Sequence, residues 1–279
     1  MANVTKSIGT ASRDYSNFRT WADDLNDASI YSNDDTAIGE MYNDDVYDFT
    51  AIMWFNSQGT NIGGTGAELT EARITVAAGE RHDGTAGTGT RIASEGGYWH
   101  VSFGGDHIRH SIEWLECNGG GTGNGLVDGY WGGSFDWHGK VDHLLIHNYI
   151  NTGSAFRVIW VRSRSGEVTN CIIYDITSSA TDYSAAIYCT EYYNLFANNT
   201  VYGSTNSSTA SANVYGIYIN DASATNSLVI FNNIVVGTNS TGSGATVTDF
   251  SFNGSNLTQS NNLSSDSTAA STSGGGSGD

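Results

Sequence analysis

The chain has 279 residues, 38% of them hydrophobic, enough to fill one large core or two small ones. Eleven basic against 29 acidic residues leave a net charge of −18, with lysine only at Lys6 and Lys140. A surface of that sign repels nucleic acid and anionic membrane, so neither is expected as a partner; it suits a soluble protein, a cation-binding protein, or one subunit of a charge-balanced assembly.

Thirty-five glycines, no proline and abundant Ser, Thr and Asn separate short runs of Val, Ile, Thr, Tyr, Phe and Trp. That pattern predicts many short strands joined by turns, with little helix. Cys117, Cys171 and Cys189 are an odd count without metal-ligand spacing, which predicts free thiols. The opening MANVTKSIGTASRDYS lacks the apolar core of a Sec signal, and no run approaches the ~18 apolar residues of a membrane span.

In chain order, residues 1–50 form an N-terminal cap or attachment region. Asp14 is placed to cap a short helix in which Phe18, Trp21 and Leu25 share one face, an amphipathic lid for whatever core follows. An acidic, irregular stretch, NDASIYSNDDTAIGEMYNDDVYD, comes next. Residues 51–265 then run through AIMWFN, ARITVAA, TRIAS, YWHVSF and HSIEWLEC into a periodic region. Residues 266–279 are a Ser/Gly-rich tail with too little apolar surface to pack, which leaves the last periodic unit open.

The period is visible in two registers. Asn148, Asn170, Asn199, Asn233 and Asn262 each precede a β-branched segment, at intervals of 22, 29, 34 and 29 residues. Upstream of them Leu126, Val158, Ile187 and Ile217 recur at 32, 29 and 30. Two registers advancing together by about thirty residues indicate a solenoid. The apolar runs are too short for helical repeats, so the coils are strands stacked ~4.8 Å apart. Asparagine tolerates the left-handed corner of such a coil, and its amide can bond the identical amide above, which predicts an asparagine ladder.

The GIYIN and NNIVV coils resemble right-handed parallel β-helices of the pectate-lyase-like superfamily over about residues 65–265. TKSIGTASRDYSNFRTWADDL, GEMYND and GERHDGTAGTG resemble uncharacterised β-helix proteins of tailed phages and environmental bacteria. The resemblance implies an all-β, right-handed parallel β-helix. It supplies no catalytic motif that maps onto this chain.

Three regions are candidates for function. From Leu126 to Asn148 the two registers stand 22 residues apart, against 12 or 16 elsewhere, and the excess is GYWGGSFDWHGK. Its Tyr130, Trp131, Phe135 and Trp137, with Asp136 and His138, suit a sugar-stacking platform, a protein contact, or a loop folded back on the solenoid. Second, if Ile187 and Ile217 face inward, Tyr188 and Tyr218 stand outward in a stack that Arg157 and Ile159 extend, fit for a glycan groove or a subunit seam. Third, hydrolysis of a glycosidic bond needs two carboxylates about 5 to 9.5 Å apart, and Asp128, Asp136, Asp142, Asp175 and Glu191 are available. A lyase would need a base opposite a cation; Arg157, Arg162 and Arg164 cluster, but WVRSRSGE has no aspartate beside them. The pairs His107/His110 and His143/His147 have chelating spacing only on a helix, and on a strand such residues lie ~13 Å apart. No metal and no cofactor is therefore expected. RHDGTAGTG lacks the lysine and the helix of a phosphate loop.

The expectation is a structural β-helix protein of a phage particle (spike, fibre or decoration subunit), found in the virion or outside the cell after release. Sister copies or other particle subunits are its expected partners, with a polysaccharide as a further one. The alternatives are a polysaccharide lyase or glycoside hydrolase, and a non-catalytic glycan-binding adhesin.

Overall fold

The structure is a computed structural model that describes residues 2–48, 53–54, 69–94, 101–102, 109–121, 125–128, 138–161, 165–190, 194–220, 227–253 and 257–270. It is a parallel β-solenoid. Between the first turn and the last, each coil gives one strand to each of three sheets, and strand order within every sheet follows the chain. The first sheet starts with Asn3–Ile8 and Thr36–Met41 and ends with Leu228–Phe231 and Leu257–Ser260. The second runs from Tyr47–Asp48 to Leu263–Ser264, and the third from Met53–Trp54 to Val247–Asn253.

Strand alternation puts one column of apolar side chains from each sheet inside. Ile112, Val141, Val168, Phe196 and Ile230 stack in the first sheet. Cys117, Ile146, Ile173, Val201 and Val235 stack in the second. Val127, Ile159, Ile187, Ile217 and Phe250 stack in the third. All are buried, and each Val, Ile or Phe among them contributes about 1.5–3 kcal/mol by leaving water. The cysteines Cys117, Cys171 and Cys189 are free and buried.

The corner between the first and second sheets takes two residues. The first is left-handed: Trp114, His143, Asn170, Asn198, Asn232 and Asn261 have φ of 67, 52, 56, 58, 55 and 53°. The second points into the core: Leu115, Leu144, Cys171, Asn199, Asn233 and Asn262 are all buried. Two amide ladders result. In the inner one, the Asn199 side-chain amide donates to Asn233 Oδ1 at 2.9 Å, and that of Asn233 donates to Asn262 Oδ1 at 3.0 Å. In the outer one, Asn232 donates to Asn198 at 3.2 Å, Asn198 to Asn170 at 3.1 Å, and Asn170 to the Asp142 carboxylate at 2.8 Å.

The expected ladder is thus corrected in two places. Asn170 belongs to the outer column, one residue out of step with Asn199, Asn233 and Asn262. Asn148 is not at the corner. It lies in the second sheet at a register shift, with φ of 51°, matching Asp175, Gly203 and Gly237 in the following coils at 53, 68 and 75°. In that coil His143 turns the corner instead, because the backbone angle is set by the closure of the coil and not by the residue available. The coil after Leu126 is correspondingly less exceptional. From Val127 to His143 is 16 positions, against 11 from Ile159 to Asn170 and 15 from Ile217 to Asn232.

A further polar column, at the exit from the second sheet, comprises Asn151, Ser178 and Asn206, all buried. Each bonds the turn that follows it: to Gly153 N–H at 2.8 Å, Ala180 N–H at 3.0 Å and Ser208 N–H at 2.7 Å.

At the N-terminal end the helix Phe18–Asp23 buries Phe18 and Trp21, with Leu25 just beyond it. Its cap is Asn17, whose Oδ1 accepts from Thr20 N–H at 3.0 Å. Asp14, expected in that role, accepts instead from the Ser7 N–H and hydroxyl, both at 2.8 Å. A Cβ on Gly39 would meet Ile8 Cδ1 at 2.9 Å and the Trp21 ring at 3.0 Å, so glycine lets the helix settle closely on the first coils and a larger residue would have to push these side chains aside.

At the other end the last coil is not left open. Residues 264–270 fold across it: Asp249 accepts from Ser265 N–H at 2.6 Å, and Phe250 N–H donates to Thr268 Oγ1 at 2.9 Å. Ala269 is buried, and its carbonyl takes a bond from Gln259 at 3.2 Å. Beside it, Asp266 and Thr268 take the N–H groups of Asp249 and Phe250, at 2.8 and 2.9 Å.

Candidate functional site

Outward positions of the third sheet carry an aromatic face. Arg157, Ala185 and Tyr215 form one column; Trp160, Tyr188 and Tyr218 form the next. Tyr183, which opens the strand that holds Ala185 and Tyr188, packs beside them, 5.4 Å from Tyr188 and 6.3 Å from Tyr218. The Tyr215 and Tyr218 rings stack at 4.2 Å, Tyr188 and Tyr218 lie 5.1 Å apart, and Trp160 and Tyr188 6.0 Å. The Arg157 guanidinium carbon lies 3.9 Å from the Trp160 ring centre, 4.6 Å from Tyr183 and 5.1 Å from Tyr188, and Arg157 also donates to the Tyr183 hydroxyl. Ala185, Tyr188 and Tyr215 are buried under this outer layer while Trp160, Tyr183 and Tyr218 stay partly exposed. Burial raises the Tyr215 and Tyr218 hydroxyl pKa values, so both remain neutral donors.

The face contains Arg157, Tyr188 and Tyr218, as their sequence spacing predicts. It excludes Ile159, which pairs with Ile187 and faces the core fully buried. Aligning Val158 with Ile187 slips the register by one position, and a slip of one exchanges the two faces of a strand. Trp160 was missed by that slip; Tyr183 and Tyr215, an even number of residues from inward Ile187 and Ile217, were missed because these strands depart from strict alternation. The signal for Trp160 was the recurrence of an aromatic at 160, 188 and 218.

The carboxylate candidates fall elsewhere. Asp142 ends a strand of the first sheet, in register with Glu113 and Thr169. Lys140 bridges the two acids, 2.8 Å from Asp142 and 3.4 Å from Glu113, on a face that also holds the pairs Arg73–Glu71 at 2.9 Å and Arg109–Glu167 at 3.8 Å. Burial alone would raise the Asp142 carboxyl, but Lys140, Thr169, Asn170 and His143 outweigh it and hold its pKa near about 2. Asp142 is therefore an anion throughout the working range and unsuited to donate a proton. Because its folded pKa is depressed, its stabilisation is present above the ordinary carboxylate range and is lost as pH falls through about 2. Lys140→Met should move this acid loss to higher pH, seen as an upward shift of the acid-unfolding midpoint by circular dichroism.

Asp128 ends Val127–Asp128 in register with Trp160, and His138 opens His138–Asp142 in register with Arg109. Asp175 occupies the exposed left-handed position on the second sheet. Tyr130, Trp131, Phe135, Asp136, Trp137, Arg162, Arg164 and Glu191 lie outside the described residues, as does His107. His110 faces the core, where burial pushes its pKa down to about 3. His143 stands at the corner, its ring stacked 3.9 Å from Trp114, while His147 lies on the second sheet. The two rings thus serve different contacts, as strand geometry requires.

Sequence reasoning also missed a buried acid. Glu116 is fully buried and His147 nearly so; His147 Nε2 meets Glu116 Oε1 at 2.8 Å, and the Gly87 N–H reaches both carboxylate oxygens at 2.9 and 2.8 Å. Gly87 belongs to the 77–90 loop, the HDGTAGTG segment, which folds over the second sheet. His82 in the same loop meets the His143 carbonyl at 2.7 Å, and burial lowers its pKa. The glycine-rich loop is thus a covering segment.

No family model matches the chain, and no curated protein matches it significantly. The parallel β-solenoid expected from the GIYIN and NNIVV coils is the fold observed, which is a likeness of architecture alone.

Proposed function

We propose that this chain is a structural, display-type β-solenoid, a subunit of a particle-like assembly such as a spike or fibre, whose working surface is the aromatic face of the third sheet and whose ligand is a polysaccharide. The observation that carries the reading is the Trp160–Tyr188–Tyr218 column with Arg157 and Tyr183 beside it. These rings present apolar faces and hydroxyl donors together, the combination that pyranose rings need: C–H faces to stack on and hydroxyls to bond. The coil step of ~4.8 Å is close to the length of one pyranose ring, so a glycan running along the solenoid can meet a ring on each coil.

The test is a binding panel of neutral and acidic polysaccharides against the wild-type protein and a Trp160→Ala, Tyr218→Ala double variant. Retention of at least one glycan by wild type, weakened about tenfold or more in the double variant, is the expected result. Equal retention by both proteins would sink the reading.

One observation favours the enzymatic alternative: Glu113 and Asp142 are register partners on adjacent coils, one backbone step of ~4.8 Å apart, from which two carboxylates can reach the separation a retaining glycosidase uses. Lys140 is paired with both, which opposes a proton-donating role for either. New reducing ends or unsaturated uronates released by wild type and not by Asp142→Asn would establish the enzyme.

A further inference from the structure

The second sheet has an outward face that the proposed glycan surface does not use. Of the large hydrophobic side chains most exposed among the described residues, Ile150 (56%), Tyr202 (56%), Ile234 (40%) and Leu263 (52%) all lie there. They fall in three adjoining columns. Ile172, Thr200, Ile234 and Leu263 stack in one; Tyr174, Tyr202 and Val236 in the next; Ile150, Thr177 and Thr205 in the third. A contiguous apolar surface of this kind on a water-soluble fold marks a contact surface.

The N-terminal part of the same face is already covered by the protein itself. Glu116, Leu145 and Ile172 share a column; the 77–90 loop bonds Glu116 through Gly87 and approaches Ile172 through Gly84, and Leu145 between them is fully buried although it points outward. Beyond the loop's reach the columns continue for three more coils with nothing over them among the described residues.

Charge decides what can cover them. Two copies of a chain carrying −18 repel wherever carboxylates meet. The first sheet presents Glu71, Glu113, Asp142 and Glu167. In the exposed part of the second sheet the three columns carry no charged residue, and Asp175, at the register shift between them, is the one carboxylate among the described residues. Like-charged copies can therefore approach closely here. The shape agrees: columns of like side chains repeating at each coil interleave with a second such set when two solenoids lie face to face about 10 Å apart. A contact using the same patch on both partners closes on itself as a two-fold dimer.

We propose that the exposed second-sheet face, centred on Tyr202, Ile234 and Leu263, is the contact through which two copies of this chain pair with two-fold symmetry. The inference does not depend on the glycan reading, which uses a different sheet.

The test is the solution mass of the full chain by sedimentation velocity over a concentration series, for wild type and for the Tyr202→Lys, Leu263→Lys double variant. Wild type should approach twice the 29.6 kDa chain mass. The double variant, which would bury unpaired ammonium groups in the contact, should associate about 100-fold more weakly or run as a monomer. Both side chains are exposed, so circular dichroism should show the variant folded. A Trp160→Ala variant on the third sheet should dimerise like wild type. A wild-type monomer at the highest soluble concentration overturns the proposal, as does a dimer that survives both lysines. A single Tyr202→Cys variant adds a positive readout: with the native cysteines buried, oxidation should yield a covalent dimer, and its absence counts against the two-fold contact.

Discussion

Asn233→Ala is expected to lower the thermal midpoint by roughly 10 °C, corresponding to a loss of about 4 kcal/mol. Asn233 is fully buried in the middle of the inner ladder. Its Oδ1 accepts from both the backbone N–H of Asn199, at 3.0 Å, and the side-chain amide of Asn199, at 2.9 Å. Its own amide reaches the Phe196 carbonyl at 2.9 Å, the Phe231 carbonyl at 3.1 Å and Asn262 Oδ1 at 3.0 Å. Alanine strands the two Asn199 donors and a carbonyl in the core, where each unsatisfied group costs about 1–3 kcal/mol, and it leaves a small void besides. The neighbouring Asn232 supplies the comparison. It has the left-handed backbone and is exposed, so Asn232→Gly keeps the corner and loses one surface amide bond. Its cost should be no more than a few tenths of a kcal/mol. Equal midpoint losses for Asn233→Ala and Asn232→Gly in a thermal scan would show that the inner ladder does not hold the coils together.

Glu116→Ala should cost about 3–5 kcal/mol and release the 77–90 loop. A buried carboxylate is tolerable only while its oxygens are bonded, and those of Glu116 are held by His147 and Gly87. Removing it leaves His147, itself nearly fully buried and stacked 5.4 Å from Tyr174, with a donor and no acceptor. It also removes the bond that fixes Gly87. The Arg81 side chain, which reaches the Val76 carbonyl at 3.1 Å and covers Trp114 at 4.7 Å, lies in the loop so freed. Trypsin should then cut after Arg81 much faster than in wild type, giving two fragments readable by mass spectrometry. Glu116→Gln should fall between the two, because one amide oxygen can still accept. Glu167→Ala is the surface control: Glu167 pairs with Arg109 at 3.8 Å, with both side chains over 40% exposed, and its loss should cost at most a few tenths of a kcal/mol. Unchanged stability and trypsin resistance in Glu116→Ala would mean that the loop is held by something other than this pair.

The two variants mark the division between what local sequence announces and what it hides. Asn233 was legible because NNIVV repeats NNTVY, and a polar pair inside an apolar run needs a reason. Glu116 was not, since HSIEWLEC gives no hint that a loop some thirty residues earlier will cover it. The aromatic face was half legible. Tyr188 and Tyr218 follow from alternation, but Trp160 and the exclusion of Ile159 depend on register. Register in a stacked coil is set by the neighbouring rung, so a count that is wrong by one exchanges inside for outside. Asn148 misled for a related reason: asparagine occupies left-handed positions both at corners and at the register shift within the second sheet, and sequence does not distinguish the two.

The sequence by itself determined that the chain coils, with a period near thirty residues, short strands, asparagine corners and buried free thiols, because strand length, side-chain alternation and backbone tolerance are local properties. Only the tertiary structure decided which residues stand in one column, which loop lies over Glu116, how the last coil is closed, and which outer face is charged, aromatic or apolar. Those are properties of rungs about thirty residues apart brought to ~4.8 Å, and they exist only once the coils are stacked.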